Sequence, residues 1–108
     1  MEINLIYITT AGKDEAKLIG KALINARLAA CVNIVENMYS MYMWEGKLQD
    51  DKETIIIAKT TKERVPDLID KVNALHSYDC PCIVSLSVSE GNPALLNWVA
   101  DEVRHRSA

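Results

Sequence analysis

Residues 30–60 read ACVNIVENMYSMYMWEGKLQDDKETIIIAKT and carry the pattern that decides the fold. Two strand-like segments, 30–35 and 38–44, are followed by a second arm, 48–60, that ends in a run of isoleucines. β-Branched and aromatic residues of this kind are typical of strands. The intervening residues 45–47, Glu-Gly-Lys, predict a turn, so the whole stretch is predicted to form one long β-hairpin.

The predicted hairpin is long compared with the domain that carries it. Its first arm, residues 30–44, contains 15 residues and would reach roughly 50 Å at about 3.3 Å per residue. A globule of this chain length has a diameter of roughly 33 Å. The overhang would carry the apolar residues 41–44, an aggregation hazard unless another subunit pairs with it. The alternative is a bulged hairpin that curls over its own sheet.

The flanking segments complete the order of elements. A strand is predicted over Ile3–Thr10, followed by an amphipathic helix that ends near Leu28. Thr60 and Glu63 have the spacing of a capping box and predict the start of a second helix. A last strand is predicted over residues 82–88, and Gly91-Asn92-Pro93 opens a short final helix.

This β-α-β-β-α-β order with an extra C-terminal helix predicts an α+β, ferredoxin-like sandwich. We expect residues 1–108 to form a single domain. In this arrangement both central helices cover one face of the sheet. The opposite face, or part of it, then needs another cover.

The amino-acid composition argues against several classes of protein. The chain has 108 residues, 49% of them hydrophobic and 25% charged, with a net charge of −3, as expected of a soluble globular domain. No run approaches the length of a membrane span, and the negative charge argues against nonspecific nucleic-acid binding. The N-terminus lacks the features of a signal peptide. Three cysteines do not make a disulfide framework, which predicts a reducing, cytoplasmic location.

Sequence motifs for catalysis are not found. The four glycines form neither a phosphate-binding loop nor a dinucleotide fingerprint. Two histidines with no convincing nucleophile–base pair predict that the protein is not an enzyme. The strand segment 54–58 also lacks the aromatic residues on which RNA-recognition domains stack bases.

Several separate runs, in the right order, resemble the CutA, or divalent-cation tolerance, family along nearly the whole chain. The runs are RLAACVNI at 27–34, SMYMWEGK at 40–47, KT at 59–60, HSYDCP at 76–81, EGN at 90–92 and NW at 97–98. The resemblance implies a ferredoxin-like fold and a tight homotrimer whose long hairpins join the sheets of neighbouring subunits. It also implies binding of copper or another divalent metal ion. An alternative that it suggests is a PII-like signalling trimer that binds a small molecule or a protein partner in clefts between subunits.

The sequence departs from the family pattern where metal ligands are expected. Some members are assigned a copper site from a cysteine near the end of the first strand and a His-His pair. Here the strand ends in Ile8-Thr9-Thr10, and the pair is reduced to Leu75-His76.

The candidate metal ligands in this chain are therefore His76, Asp79, Cys80 and Cys82. Two cysteine sulfurs suit Cu(I) or Zn(II). On a strand, Cys80 and Cys82 would share one face. The alternatives are packing roles for the cysteines and a helix-terminal role for His76, which the helix dipole favours.

Four further residues are candidates for binding a small molecule. The resemblance suggests that Trp44, Lys59, Tyr78 and Trp98 line a pocket between subunits. The alternative for the tryptophans is interface packing. The alternative for Lys59 is a solvated strand end. The acidic run 50–53 offers hard oxygen ligands for a cation, but it lacks an EF-hand pattern and is interpreted as a solvated flank of the hairpin.

Overall fold

The structure is a computed structural model that describes residues 2–104, and the elements follow the predicted order. They are β1 (Ile3–Thr10), α1 (Lys13–Asn25), β2 (Cys31–Trp44), β3 (Lys47–Thr61), α2 (Val65–Leu75), β4 (Ile83–Ser87) and α3 (Pro93–Val103), with a 3₁₀ turn at Lys62–Arg64. The strands form one antiparallel sheet in the order β2-β3-β1-β4. This strand order is that of the split βαβ, so the predicted ferredoxin-like α+β fold is confirmed.

The main core lies between one face of the sheet and helices α1 and α2. Alternate residues of β1 and β3 supply that face, where Ile6 pairs with Ala58 and Ile8 pairs with Ile56. These four side chains are fully buried. The helices contribute a matching apolar stripe consisting of Ala16, Ile19, Leu23, Leu68 and Val72.

The opposite face of the sheet is partly open, as predicted. On this open face Tyr7 pairs with Val84, and Leu5 pairs with Leu86. Val84 and Leu86 are 48% and 56% exposed. Helix α3 lies against β3 and β1 and buries its own Val99 and Val103, but the surface of β4 stays uncovered in a single chain.

The hairpin extends beyond the sheet. Strand β1 ends at Thr10, opposite Thr54, so residues 38–53 form a ribbon of two strands that no third strand within residues 2–104 joins. The longest dimension of the molecule is 45 Å. Glu45 and Gly46 both have positive φ, as a type I′ hairpin turn requires. The turn is one residue shorter than predicted because Lys47 already pairs with Trp44.

Three predicted boundaries were wrong. Thr60 is not a helix cap, because it still pairs with Asn4 in the sheet, and α2 starts only at Val65 without a capping side chain. Helix α1 ends at Asn25 rather than near Leu28, since Arg27 adopts a left-handed backbone conformation. The last strand starts at Ile83, so Cys80 and Cys82 lie in an irregular segment and not on one strand face.

Candidate functional site

A cavity of about 800 Å³ lies between the ribbon and the segment 77–82 that precedes β4. Its lining comes from β1 through Tyr7, from the ribbon through residues such as Met38 and Trp44, and from the irregular segment. Glu53 also lines it and belongs to the open face of the sheet, because side chains alternate along β3. The size falls within the range of small-molecule sites.

His76 anchors the segment that forms one wall of the cavity. Its Nε2 lies 2.7 Å from the carbonyl oxygen of Thr9, and its Nδ1 accepts a hydrogen bond of 3.0 Å from the backbone N–H of Tyr78. A carbonyl can only accept, so Nε2 carries the proton and the ring is neutral. The side chain is fully buried. His76 can therefore bind a metal ion only after giving up one of these hydrogen bonds.

Glu15 at the start of α1 holds the same segment from the other side. Its two carboxylate oxygens accept hydrogen bonds from the backbone N–H groups of Ala11, at 2.9 Å, and Ser77, at 2.8 Å. Burial pushes the pKa of Glu15 upward, but the hydrogen bonds from Ser77 and Ala11 outweigh it and lower the pKa below 4.5. The ionised carboxylate thus holds in place the segment that forms this wall of the cavity.

We expect this carboxylate to make stability dependent on acid pH. A depressed folded-state pKa adds stability that is present above pH 4.5 and is lost as the pH falls through the lower folded value. Below pH 4.5, the free energy of unfolding measured in urea should therefore fall less steeply with decreasing pH for the Glu15→Gln variant than for the wild type. The matched control is Asp14→Asn, one residue away. Equal slopes for wild type and Glu15→Gln would contradict the prediction.

Glu53 is a buried carboxylate that sequence reasoning missed. It is only 7% exposed and accepts a hydrogen bond of 2.9 Å from the hydroxyl of Tyr78. Burial, followed by this hydrogen bond and the charge of Glu53, raises the pKa of Tyr78, so the hydroxyl stays protonated. The interpretation of residues 50–53 as a solvated flank is wrong for Glu53. The sequence does contain a signal for this burial, because Glu53 lies two residues before Ile55 and therefore on the same face of β3.

Sulfur atoms line another part of the cavity. Cys80 and Cys82 are exposed free thiols, and both line it together with Met38. The hydroxyl of Tyr7 donates to Sδ of Met38 over 3.3 Å. Burial, followed by the nearby Cys82 and Glu53, raises the pKa of Tyr7, so this hydroxyl also stays protonated.

The structure brings three of the four candidate metal ligands to one cavity. Asp79, Cys80 and Cys82 line it, whereas His76 lies behind the wall. Among residues 2–104, no three histidine, cysteine or acidic side chains stand close enough together to form a ready-made metal site. The donors share a cavity without being arranged around a common point.

The four candidate residues for binding a small molecule lie in different parts of the structure. Trp44 and Tyr78 line the cavity. Lys59 does not line it. Its Nζ donates to Oδ1 of Asn33 at 2.7 Å and lies 3.5 Å from Sγ of Cys31. Trp98 stands on α3 and is 44% exposed. The four residues thus do not form one pocket within a single chain.

The fold and site define the molecule as a ferredoxin-like α+β protein with an overhanging ribbon and a cavity lined by potential metal-binding side chains. The profile of the CutA1 divalent ion tolerance protein family matches residues 4–102. The chain belongs to this family.

Curated relatives agree with this assignment. The chain is 42% identical over 98 residues to the divalent-cation tolerance protein CutA of Thermus thermophilus, covering 91% of this chain and 95% of that protein. It is 36% identical over 101 residues to the chloroplastic protein CutA of Arabidopsis thaliana, covering 94% of this chain but only 56% of that protein. These names describe cation tolerance or a compartment, and neither gives a catalysed reaction.

A solved structure also matches. The crystal structure of CutA1 from Oryza sativa superposes with a TM-score of 0.94 at 36% identity, covering 98% of this chain and 97% of that one. The relatives named here lend no support to the PII-like alternative. Within the part of the chain that the structure describes, no helix is both long and apolar enough to cross a membrane.

Proposed function

We propose that the protein is a homotrimeric divalent-cation tolerance protein that binds copper or another divalent metal ion, with residues 1–108 forming one domain per subunit. The proposal of metal binding rests on one observation: Cys80, Cys82 and Asp79 line the same cavity in a chain of the divalent ion tolerance family. The free thiols fit a reducing compartment such as the cytoplasm.

Two surfaces support self-association. The ribbon exposes Tyr39, Met41 and Met43 at 71%, 70% and 64%, and a two-stranded ribbon is only marginally stable alone. Strand β4 exposes Val84 and Leu86 at the free edge of the sheet. A second copy of the chain that brings its ribbon to such an edge covers both surfaces together. This is the arrangement that the family resemblance implies for a trimer.

The donor chemistry of the cavity fits a soft metal ion. Thiolates of Cys80 and Cys82 suit Cu(I) or Zn(II), and the carboxylate of Asp79 can complete such a set. All three side chains belong to exposed residues and make no hydrogen bond among the described residues. They are therefore free to turn toward an ion, unlike His76, whose two ring nitrogens are already bonded.

Loss of the two thiols should abolish tight metal binding. We expect the Cys80→Ser/Cys82→Ser variant to bind Cu(I) at least about a hundredfold more weakly, since a hydroxyl is a poor ligand for a soft ion. The measurement is a competition titration against a Cu(I) chelator under reducing conditions, and the fold is checked by circular dichroism.

The control for that titration is Cys31→Ser, which changes a thiol on β2 that does not line the cavity. It should leave the affinity unchanged. Equal losses in both variants, or no loss in the double variant, would rule out Cys80 and Cys82 as the ligands.

A further inference from the structure

Cys80 and Cys82 are a close pair of free thiols. Both belong to exposed residues, and only Pro81 separates them in the sequence. Because consecutive Cα atoms lie about 3.8 Å apart, two positions with one residue between them are never more than about 7.6 Å apart. A disulfide needs a Cα distance of about 4.4–6.8 Å. The covalent chain therefore keeps the two sulfur atoms near bonding distance, whatever the exact shape of the segment.

The backbone that links the two thiols is free to adjust. Before them the segment is held at Tyr78, whose hydroxyl donates to Glu53. After them the carbonyl oxygen of Cys82 accepts a hydrogen bond of 3.3 Å from the N–H of Thr9. Among residues 2–104, no backbone hydrogen bond holds residues 79–81 themselves. A bond between the two sulfur atoms can therefore form without breaking the hydrogen bonds that hold the segment.

We propose that Cys80 and Cys82 form a redox switch, in which peroxide converts them to an intrachain disulfide and so removes the two sulfur ligands of the metal site. The inference rests on the proposed function, because it concerns the regulation of the same site. The thiol of one cysteine attacks hydrogen peroxide, so that an S–O bond forms, the O–O bond breaks, and a sulfenic acid and water result. The other thiol then attacks this sulfur, so that the S–S bond forms, the S–O bond breaks, and a second water leaves. The thiols lose two electrons, and the peroxide gains them.

Two properties suit this pair to reversible control. An exposed or strained disulfide is more easily reduced than a buried structural one, so reducing thiols can reopen it. The reaction needs no space for a bound ligand, and hydrogen peroxide is smaller than a hydrated metal ion, so the oxidant reaches the thiols wherever the metal does. A sulfur atom in a disulfide is no longer a thiolate that can bind the ion. Oxidation and metal binding therefore exclude each other.

Intact mass and peptide mapping test the bond itself. We expect the reduced, metal-free protein, treated with equimolar hydrogen peroxide and then with iodoacetamide, to lose the mass of two hydrogen atoms and to gain one alkyl group, at Cys31. Trypsin cleaves after Lys71 and Arg104, so both thiols of the pair lie on peptide 72–104, whereas Cys31 lies on peptide 28–47. A link within one copy of peptide 72–104 is the expected result. No link, a link to Cys31, or a link between two chains would overturn the proposal.

Single cysteine variants assign the reaction to this pair. Cys31→Ser keeps both proposed partners and should lose the same two hydrogen atoms on oxidation. Cys80→Ser and Cys82→Ser each leave one thiol of the pair, so neither should lose them. The same mass change in all three variants would contradict the assignment.

Zn(II) binding separates the switch from the proposed metal site. Zn(II) has no redox chemistry, so its affinity can be measured without a reductant. We expect the oxidised protein to bind Zn(II) at least about a hundredfold more weakly than the reduced protein, and dithiothreitol to restore the affinity. Unchanged Zn(II) affinity after complete disulfide formation would overturn the switch. A reduced protein that binds neither Zn(II) nor Cu(I) would instead overturn the proposed metal site together with its regulation, while the mass analysis still decides whether the disulfide forms.

Discussion

Replacing Trp44 by alanine is expected to weaken assembly strongly. Trp44 lies at the end of β2, next to the turn at the tip of the ribbon, and 47% of its surface is exposed in the single chain. In the proposed trimer a neighbouring subunit covers this ring. Large aromatic residues are the side chains whose truncation most often costs 2 kcal/mol or more at an interface. Because all three subunits lose the ring, we expect dissociation at micromolar concentrations, measured by sedimentation velocity.

Leu18→Ala is the control for the Trp44 variant. Leu18 is a large apolar residue on α1 that is 56% exposed, and it lies far from the ribbon in sequence and outside the cavity. The variant should keep the assembly of the wild type. An unchanged mass of the Trp44→Ala protein on dilution would contradict a role for the ribbon tip in the interface.

Replacing His76 by alanine is expected to cause a large loss of stability with little effect on metal binding. The change leaves the Thr9 carbonyl and the Tyr78 N–H without their ring partners and empties the space of a fully buried side chain. Two lost hydrogen bonds and the cavity together predict a decrease of about 2–4 kcal/mol in the free energy of unfolding. Urea denaturation measures this effect, and the Cu(I) competition titration measures affinity on the same protein.

The control for the stability of the His76 variant is Asn73→Ala, an exposed position on α2, which should change stability by no more than about 0.5 kcal/mol. If His76→Ala kept its stability but lost Cu(I) binding, His76 would be a metal ligand, and its hydrogen bonds to Thr9 and Tyr78 would not be its main role.

The fold was predictable because its strongest signals are periodic. The alternation in β1 and β3 and the helical spacing of residues such as Ile19 and Leu23 reflect burial on one face. One wrong boundary lies where pairing in the sheet overrides a local signal. Thr60 has the spacing of a helix cap, yet its pairing with Asn4 keeps it in the sheet.

The site was less predictable because it depends on contacts that are distant in sequence. Cys80 and Cys82 were identified from the chemistry of their sulfurs, and the structure places them at one cavity. The hydrogen bond from His76 to Thr9 spans 67 residues, so no local sequence pattern predicts that the imidazole already has a hydrogen-bond partner. Glu53 is likewise buried and accepts a hydrogen bond from Tyr78, 25 residues away in sequence, although its neighbours 50–52 suggested a solvated surface.

In the proposed assembly the subunits form a trimer in which each chain carries one metal site at its cavity. The most direct test is native mass spectrometry of the freshly reduced protein before and after addition of equimolar copper and, separately, zinc. We expect a trimer that takes up three ions of a preferred metal and loses this uptake in the Cys80→Ser/Cys82→Ser variant. A monomer would contradict the assembly, and a trimer that shows only scattered metal adducts would contradict the metal site.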